Sequence, residues 1–300
     1  MGLLDPLAGW LTLSALTALL GAVAVRWLLL ANAAVPRAEA EWLRAATGRC
    51  GVAAALLLLV GLALTLARQT IEFRDPFVPL AEDLELLLGR TDWGAAWMTA
   101  VALTVVAVHS LWRAAKGSRG GWWVATAAVV ALAFFPGSTG HAAALRQEHS
   151  LALAADALHV MAAGAWAGGL LIVLALDRLW VGRGSAKDPD LLRVLVPRFS
   201  PLAFAAAATV ATTGLYASWL QLPGLAALVE TDYGRLLCLK VGVLGLAACL
   251  GAWNWRRLVP RLTGRGEAAS LRRSAWLEAL VFQLVLLATA LLIRTSPPAG

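Results

Sequence analysis

The sequence predicts an all-α fold, a polytopic membrane bundle of about eight transmembrane helices with both termini outside. Its 300 residues are 60% hydrophobic and only 14% charged, and mean hydropathy is +0.74, beyond the apolar share of an ordinary soluble domain. Apolar runs recur at about 20 residues, the length that crosses roughly 30 Å of hydrocarbon at about 1.5 Å per helical residue. Every link between runs is short, so residues 1–300 read as a single transmembrane domain.

The first span is expected over about 8 to 30. No basic flank precedes it and no A-x-A site follows, so it reads as a retained helix rather than a cleaved signal. The second, about 50 to 68, opens on "CGVAAALLLLVGLALTLAR" after a charged link. Between it and the third span lies "IEFRDPFVPLAEDLELLLGRTDW", in which Leu80, Leu84 and Leu87 recur at helical spacing while Glu82, Asp83 and Glu85 stand off that face. A short helix lying on the membrane surface, with its acidic residues toward water, is expected there. The remaining spans are predicted over about 94 to 112, 121 to 139, 151 to 176, 199 to 220, 234 to 254 and 274 to 293, from apolar run length and bounding polar links.

The charges orient this array. The links after spans 1, 3, 5 and 7 hold 17 of the 25 Lys and Arg residues, so those links are expected on the cytoplasmic side and the termini outside. This confinement accounts for the net charge of +7 and argues against a nucleic-acid partner.

Three of the four histidines fall within "GSTGHAAALRQEHSLALAADALHVMAAGAWAGGL", residues 137–170. His141 and His149 are expected at the outer surface, in the link between spans 4 and 5. His159 lies eight residues into span 5, about 12 Å deeper at helical rise. Asp156 and His159 stand at i and i+3, and Trp166 one heptad beyond, so the three share a helix face. That face must meet other helices or water, because a carboxylate and an imidazole facing lipid would cost at least about 2–3 kcal/mol. Imidazole suits copper, zinc, nickel or haem iron, and a nearby carboxylate would fix the binding tautomer. His141, His149, His159 and Asp156 are therefore the candidate metal-binding residues, with the metal left open by spacing alone. His109 falls near the cytoplasmic end of span 3.

Other polar residues admit structural readings. Lys240 in span 7 can snorkel outward, and Glu278 in span 8 can pair with Arg272 or Arg273. Cys50, Cys238 and Cys249 form no CxxC pair and suit packing. No P-loop, nucleotide fingerprint, nucleophile elbow or HExxH appears, so the chain is not expected to be an enzyme.

The segments "GHA" at 140–142, "LHVMAAGAWAGGL" at 158–170, "TTGLYASW" at 212–219, "YGRLLCLKVGVLGLAACLGAWNWRRLVPRL" at 233–262 and the closing "TSPP" together resemble the CopD family of bacterial copper-resistance proteins. The resemblance is strongest over 140–298. It implies an eight-span inner-membrane protein that carries copper from periplasm to cytoplasm, beside a periplasmic carrier of the CopC type. It places the family's histidines on His141 and His159, its span 5 motif on Trp166 and Gly168, its span 7 residues on Tyr233, Gly234 and Lys240, and its asparagine on Asn254. A CopC-like β-domain is not expected within residues 1–300, so such a carrier is expected as a separate protein. With three methionines there is no Met-rich tract of the kind that favours Cu(I), which leaves Cu(II) open.

Two further readings stand beside copper transport. Histidines on neighbouring helices could ligate haem in an electron-transfer or oxidase-assembly protein, with His109 and His159 as the intramembrane pair. Alternatively, the chain is a structural or regulatory membrane partner and its histidines are incidental.

Overall fold

The computed structural model describes residues 4–30, 36–139, 149–182, 191–262 and 265–298. Among them, eight helical segments are long and apolar enough to cross a membrane. Span 1 is α1 (Leu4–Ala24) with a π-helical turn, Val25–Leu29; span 2 is α2 (Arg37–Phe73). The short α3 (Leu80–Arg90) leads into α4 (Asp92–Ala115), span 3, while α5 (Arg119–Leu132) and α6 (Phe135–Thr139) make span 4. Span 5 joins α7 (His149–Ala163) to α8 (Gly169–Val181) through the π turn Gly164–Gly168, and α9 (Leu191–Gln221) is span 6. The short α10 (Ala227–Glu230) precedes α11 (Asp232–Trp253), which continues through the π turn Asn254–Leu258 and a final 3₁₀ turn, Val259–Arg261, as span 7. Span 8 is α12 (Arg265–Leu292). No strand occurs among the described residues.

The expected spans are all present, with extended ends. The link "RAEAEWLRAATGR", expected as a loop, is the first part of α2. Its Ala, Glu, Leu and Arg residues are strong helix formers, and its charges mark where the helix leaves the membrane, not where it starts. The surface helix α3 also forms, but Leu80 is exposed while Asp83 is buried beside Leu87. Asp83 turns inward because Arg74 donates to it at 2.5 Å.

One junction occurs twice. Thr91 of "TDWG" accepts a hydrogen bond from the Gly94 amide at 2.9 Å, and Thr231 of "TDYG" accepts one from Gly234 at 3.0 Å. Each threonine also donates to a carbonyl one turn back, Leu87 or Ala227, at 2.6 and 2.7 Å. A short helix thus turns into a long span in the same way in both halves, as in a repeat of four spans. Aligned on this junction, Trp93 corresponds to Tyr233, and the buried Ala100 to Lys240.

Helix α1 is central, packing on α2, α5, α8, α12 and the π turn of span 5. Its contact with that turn has no room for a side chain. A Cβ on Gly168 would come within 1.9 Å of the Thr17 carbonyl oxygen, and one on Gly21 within 2.1 Å of the Gly168 carbonyl carbon. Small residues allow this approach, and in lipid close packing substitutes for the hydrophobic driving force. Polar contacts add to it: Ser14 donates to Gln283 of α12 at 2.9 Å, and Trp97 of α4 to the Leu62 carbonyl of α2 at 2.9 Å.

Gly168→Ala is expected to destabilise the protein by at least about 1–3 kcal/mol, the cost of overpacking. Gly89→Ala, where an added Cβ meets nothing within 4 Å, should fall within about 0.5 kcal/mol of wild type. Thermal unfolding in detergent compares the two.

Candidate functional site

Asp156 and His159, one turn apart on α7, both line a cavity of about 470 Å³. α7, α9, α11 and α12 wall this cavity, with α1 and α6 at its sides. The shared helix face read from the sequence is therefore turned to an internal space.

The His159 ring is held by α9. Its Nδ1 lies 2.9 Å from the Thr213 hydroxyl, which sits 2.6 Å from the Thr209 carbonyl one turn earlier. Because a carbonyl only accepts, the hydroxyl proton is committed to Thr209 and the hydroxyl oxygen takes the Nδ1 proton. This arrangement assigns the Nδ1–H tautomer and leaves the Nε2 lone pair able to bind a metal ion.

Asp156 is held differently. Its Oδ2 is buried without a hydrogen-bond partner among the described residues, and a Cβ on Gly137 would press to 2.7 Å from it. Lys240 of α11 lines the same cavity and acts electrostatically on both Asp156 and His159. Lys240, expected to snorkel outward, thus lines the internal cavity with Asp156 and His159. At the end where α9 finishes and α11 begins, Tyr233 donates to Gln221.

Trp166 and Phe282 meet edge to face, ring centres 4.9 Å apart, and both border the cavity. Beyond them Glu278, 4% exposed, accepts a hydrogen bond from the Asn254 amide at 2.9 Å, with the Trp166 indole as a second hydrogen-bonding neighbour. Asn254 Oδ1 is buried and unpartnered among the described residues. The expected pairing of Glu278 with Arg272 does not form. Arg272 instead holds the buried Asp177 through two bonds of 2.6 and 3.2 Å. The guanidinium fork thus holds the Asp177 carboxylate as a bidentate pair.

Of the four sequence-predicted metal residues, Asp156 and His159 come together. His141 lies outside the described residues, as does the side chain of His149, whose backbone begins α7. Among the described residues no group of three or more His, Cys, Asp and Glu side chains is placed to hold a metal ion. His109 is exposed on α4 with Trp112 as its ring neighbour at 6.2 Å, outside the cavity that holds His159. Sequence reasoning missed Thr213. Its signal was the three threonines, Thr209, Thr212 and Thr213, in "ATVATTGLYASW".

Residues 193–292 match the model of the CopD family, described as copper resistance protein D. The chain is also 29% identical over 221 residues to the copper transport protein CutJ of Bacillus subtilis (strain 168), a match covering 70% of this chain and 38% of that protein. The chain thus spans well under half the length of this curated relative. No solved structure matches. The resemblance to the CopD family read from the sequence is borne out, and the matched stretch contains Thr213, Lys240, Asn254 and Glu278 while Asp156 and His159 precede it.

Asn254→Leu withdraws the donor to a buried carboxyl group and is expected to cost about 1–3 kcal/mol. Glu278→Gln, which keeps the shape, should cost less. Chemical or thermal unfolding of both variants in the same detergent checks the order.

Proposed function

We propose that this chain moves copper across the bacterial inner membrane, from periplasm toward cytoplasm, with His159 as the ligand inside the membrane. The observation that carries this reading is the Thr209–Thr213–His159 chain of hydrogen bonds, which presets an imidazole for metal in a membrane cavity. An intramembrane ionisable pair held inside a bundle is costly and marks a pathway more often than a packing site. The CopD match and the name of the Bacillus relative point to the same cargo.

In this reading His141 and His149 receive the ion at the outer face, from water or from a separate CopC-like carrier. The ion then meets His159 and Asp156. Before the ion arrives, Lys240 balances the Asp156 charge; copper takes over that role, and the lysine must swing aside. Trp166 and Phe282 close the way beyond, toward Glu278 and Asn254. Binding copper as cargo at a histidine and a carboxylate needs no resident cofactor and no catalytic residue, so the chain acts as a transporter and not as an enzyme. Haem ligation by His109 and His159 gains no support, because His109 is exposed on α4, outside the cavity that holds His159.

His159→Ala is expected to abolish copper accumulation by cells while membrane levels of the protein stay normal; uptake at the wild-type rate would remove His159 from the path. Thr213→Val frees the ring from its partner and should weaken copper binding about 10–100-fold, as for other supports of metal-binding histidines. Titration of the purified variant with copper measures this.

A further inference from the structure

A second cavity, of about 720 Å³, lies at the opposite, arginine-rich end of spans 1 to 4. It is bordered by Arg26 from the π turn of span 1, Arg44 near the start of α2, Arg119 at the start of α5, and Trp122. Arg37 and Glu41 also border it, but they are paired with each other at 3.1 Å on exposed side chains. That leaves three guanidinium groups, and none of the ion pairs among the described residues involves any of them. Nε of Arg26 and Nε of Arg44 are buried and have no hydrogen-bond partner among the described residues.

This is an unfavourable arrangement for a protein alone. Arg44 and Arg119 are like charges acting on Arg26, whose guanidinium sits 4.6 Å from the Trp27 ring centre and 5.5 Å from that of Trp122. Stacking on indoles holds the charge in place without neutralising it. The corresponding end of the second half resolves the same problem internally, with Asp177 accepting from Arg272. Charge at helix ends that only oriented the chain would need neither a cavity nor buried, unpaired Nε groups.

We infer that this cavity is a binding site for a phosphate group, bridged by Arg26, Arg44 and Arg119. Guanidinium forks match phosphate oxygens bidentately. The group is supplied either by an anionic phospholipid headgroup at the membrane surface or by a soluble phosphate. The site is independent of the copper reading, since it shares no residue with the histidine cavity.

The test uses the full chain in an uncharged detergent, with thermal unfolding followed as phosphatidylglycerol, phosphatidylcholine or inorganic phosphate is added separately. Wild-type protein should show a saturable stabilisation by phosphatidylglycerol and none by phosphatidylcholine. Arg119→Gln alters an exposed side chain, and it should raise the half-saturating concentration roughly five-fold. Arg44→Gln/Arg119→Gln should raise it further, and Arg235→Gln, outside the cavity, should leave it unchanged. Stabilisation by inorganic phosphate but not by the lipid would make a soluble phosphate the source and still support the site. Equal responses to the two lipids, a wild-type response in Arg119→Gln, or no response to lipid or phosphate would overturn the inference.

Discussion

A polar side chain in hydrocarbon must find its partner within the protein, and this constraint arranges spans 5 to 8. His159 is satisfied by Thr213 across the α7–α9 contact, Glu278 by Asn254 across α11 and α12, and Asp177 by Arg272. Lys240 and Asp156 share the cavity between them. Each pairing joins two spans, so the polar residues define which helices meet and at what depth. The apolar surface, which lipid would solvate equally well anywhere, cannot supply that specificity.

The two halves share an architecture and differ in chemistry. Where the second half carries Tyr233 and Lys240, the first carries Trp93 and Ala100, and so has no ionisable group at the position equivalent to Lys240. The cavity for chemistry belongs to one half, while α1 from the other closes its side and fixes the π turn that bears Trp166. The three π turns among the described residues carry Arg26, Trp166 and Asn254. All three residues border a cavity or a buried polar contact, in keeping with the tendency of π turns to occur at functional positions.

Membrane insertion, span number and the Asp156–His159 face were legible because they depend on run length and helical period, which are local. The α2 extension was not, since a polar helix outside the membrane has the same residues as a polar link. Asp83, Glu278 and Lys240 were misread for a common reason. Asp83 and Glu278 each had charged neighbours in sequence, and only packing decides which partner comes within reach, Arg74 for Asp83 and Asn254 for Glu278; for Lys240, only packing shows that its helix face lines a cavity. Thr213 was invisible for a related reason, because threonine is commonplace in membrane helices, where it bonds its own backbone. It matters here because that backbone bond consumes its proton and makes its oxygen an acceptor for His159.

The most direct test of the account is elemental analysis of the purified, detergent-solubilised protein, wild type and His159→Ala, after exposure to copper and with iron measured alongside. The account predicts copper near one equivalent in the wild type, its loss in the variant, and no iron in either. Iron near one equivalent in place of copper, or copper retained by the variant, would contradict it.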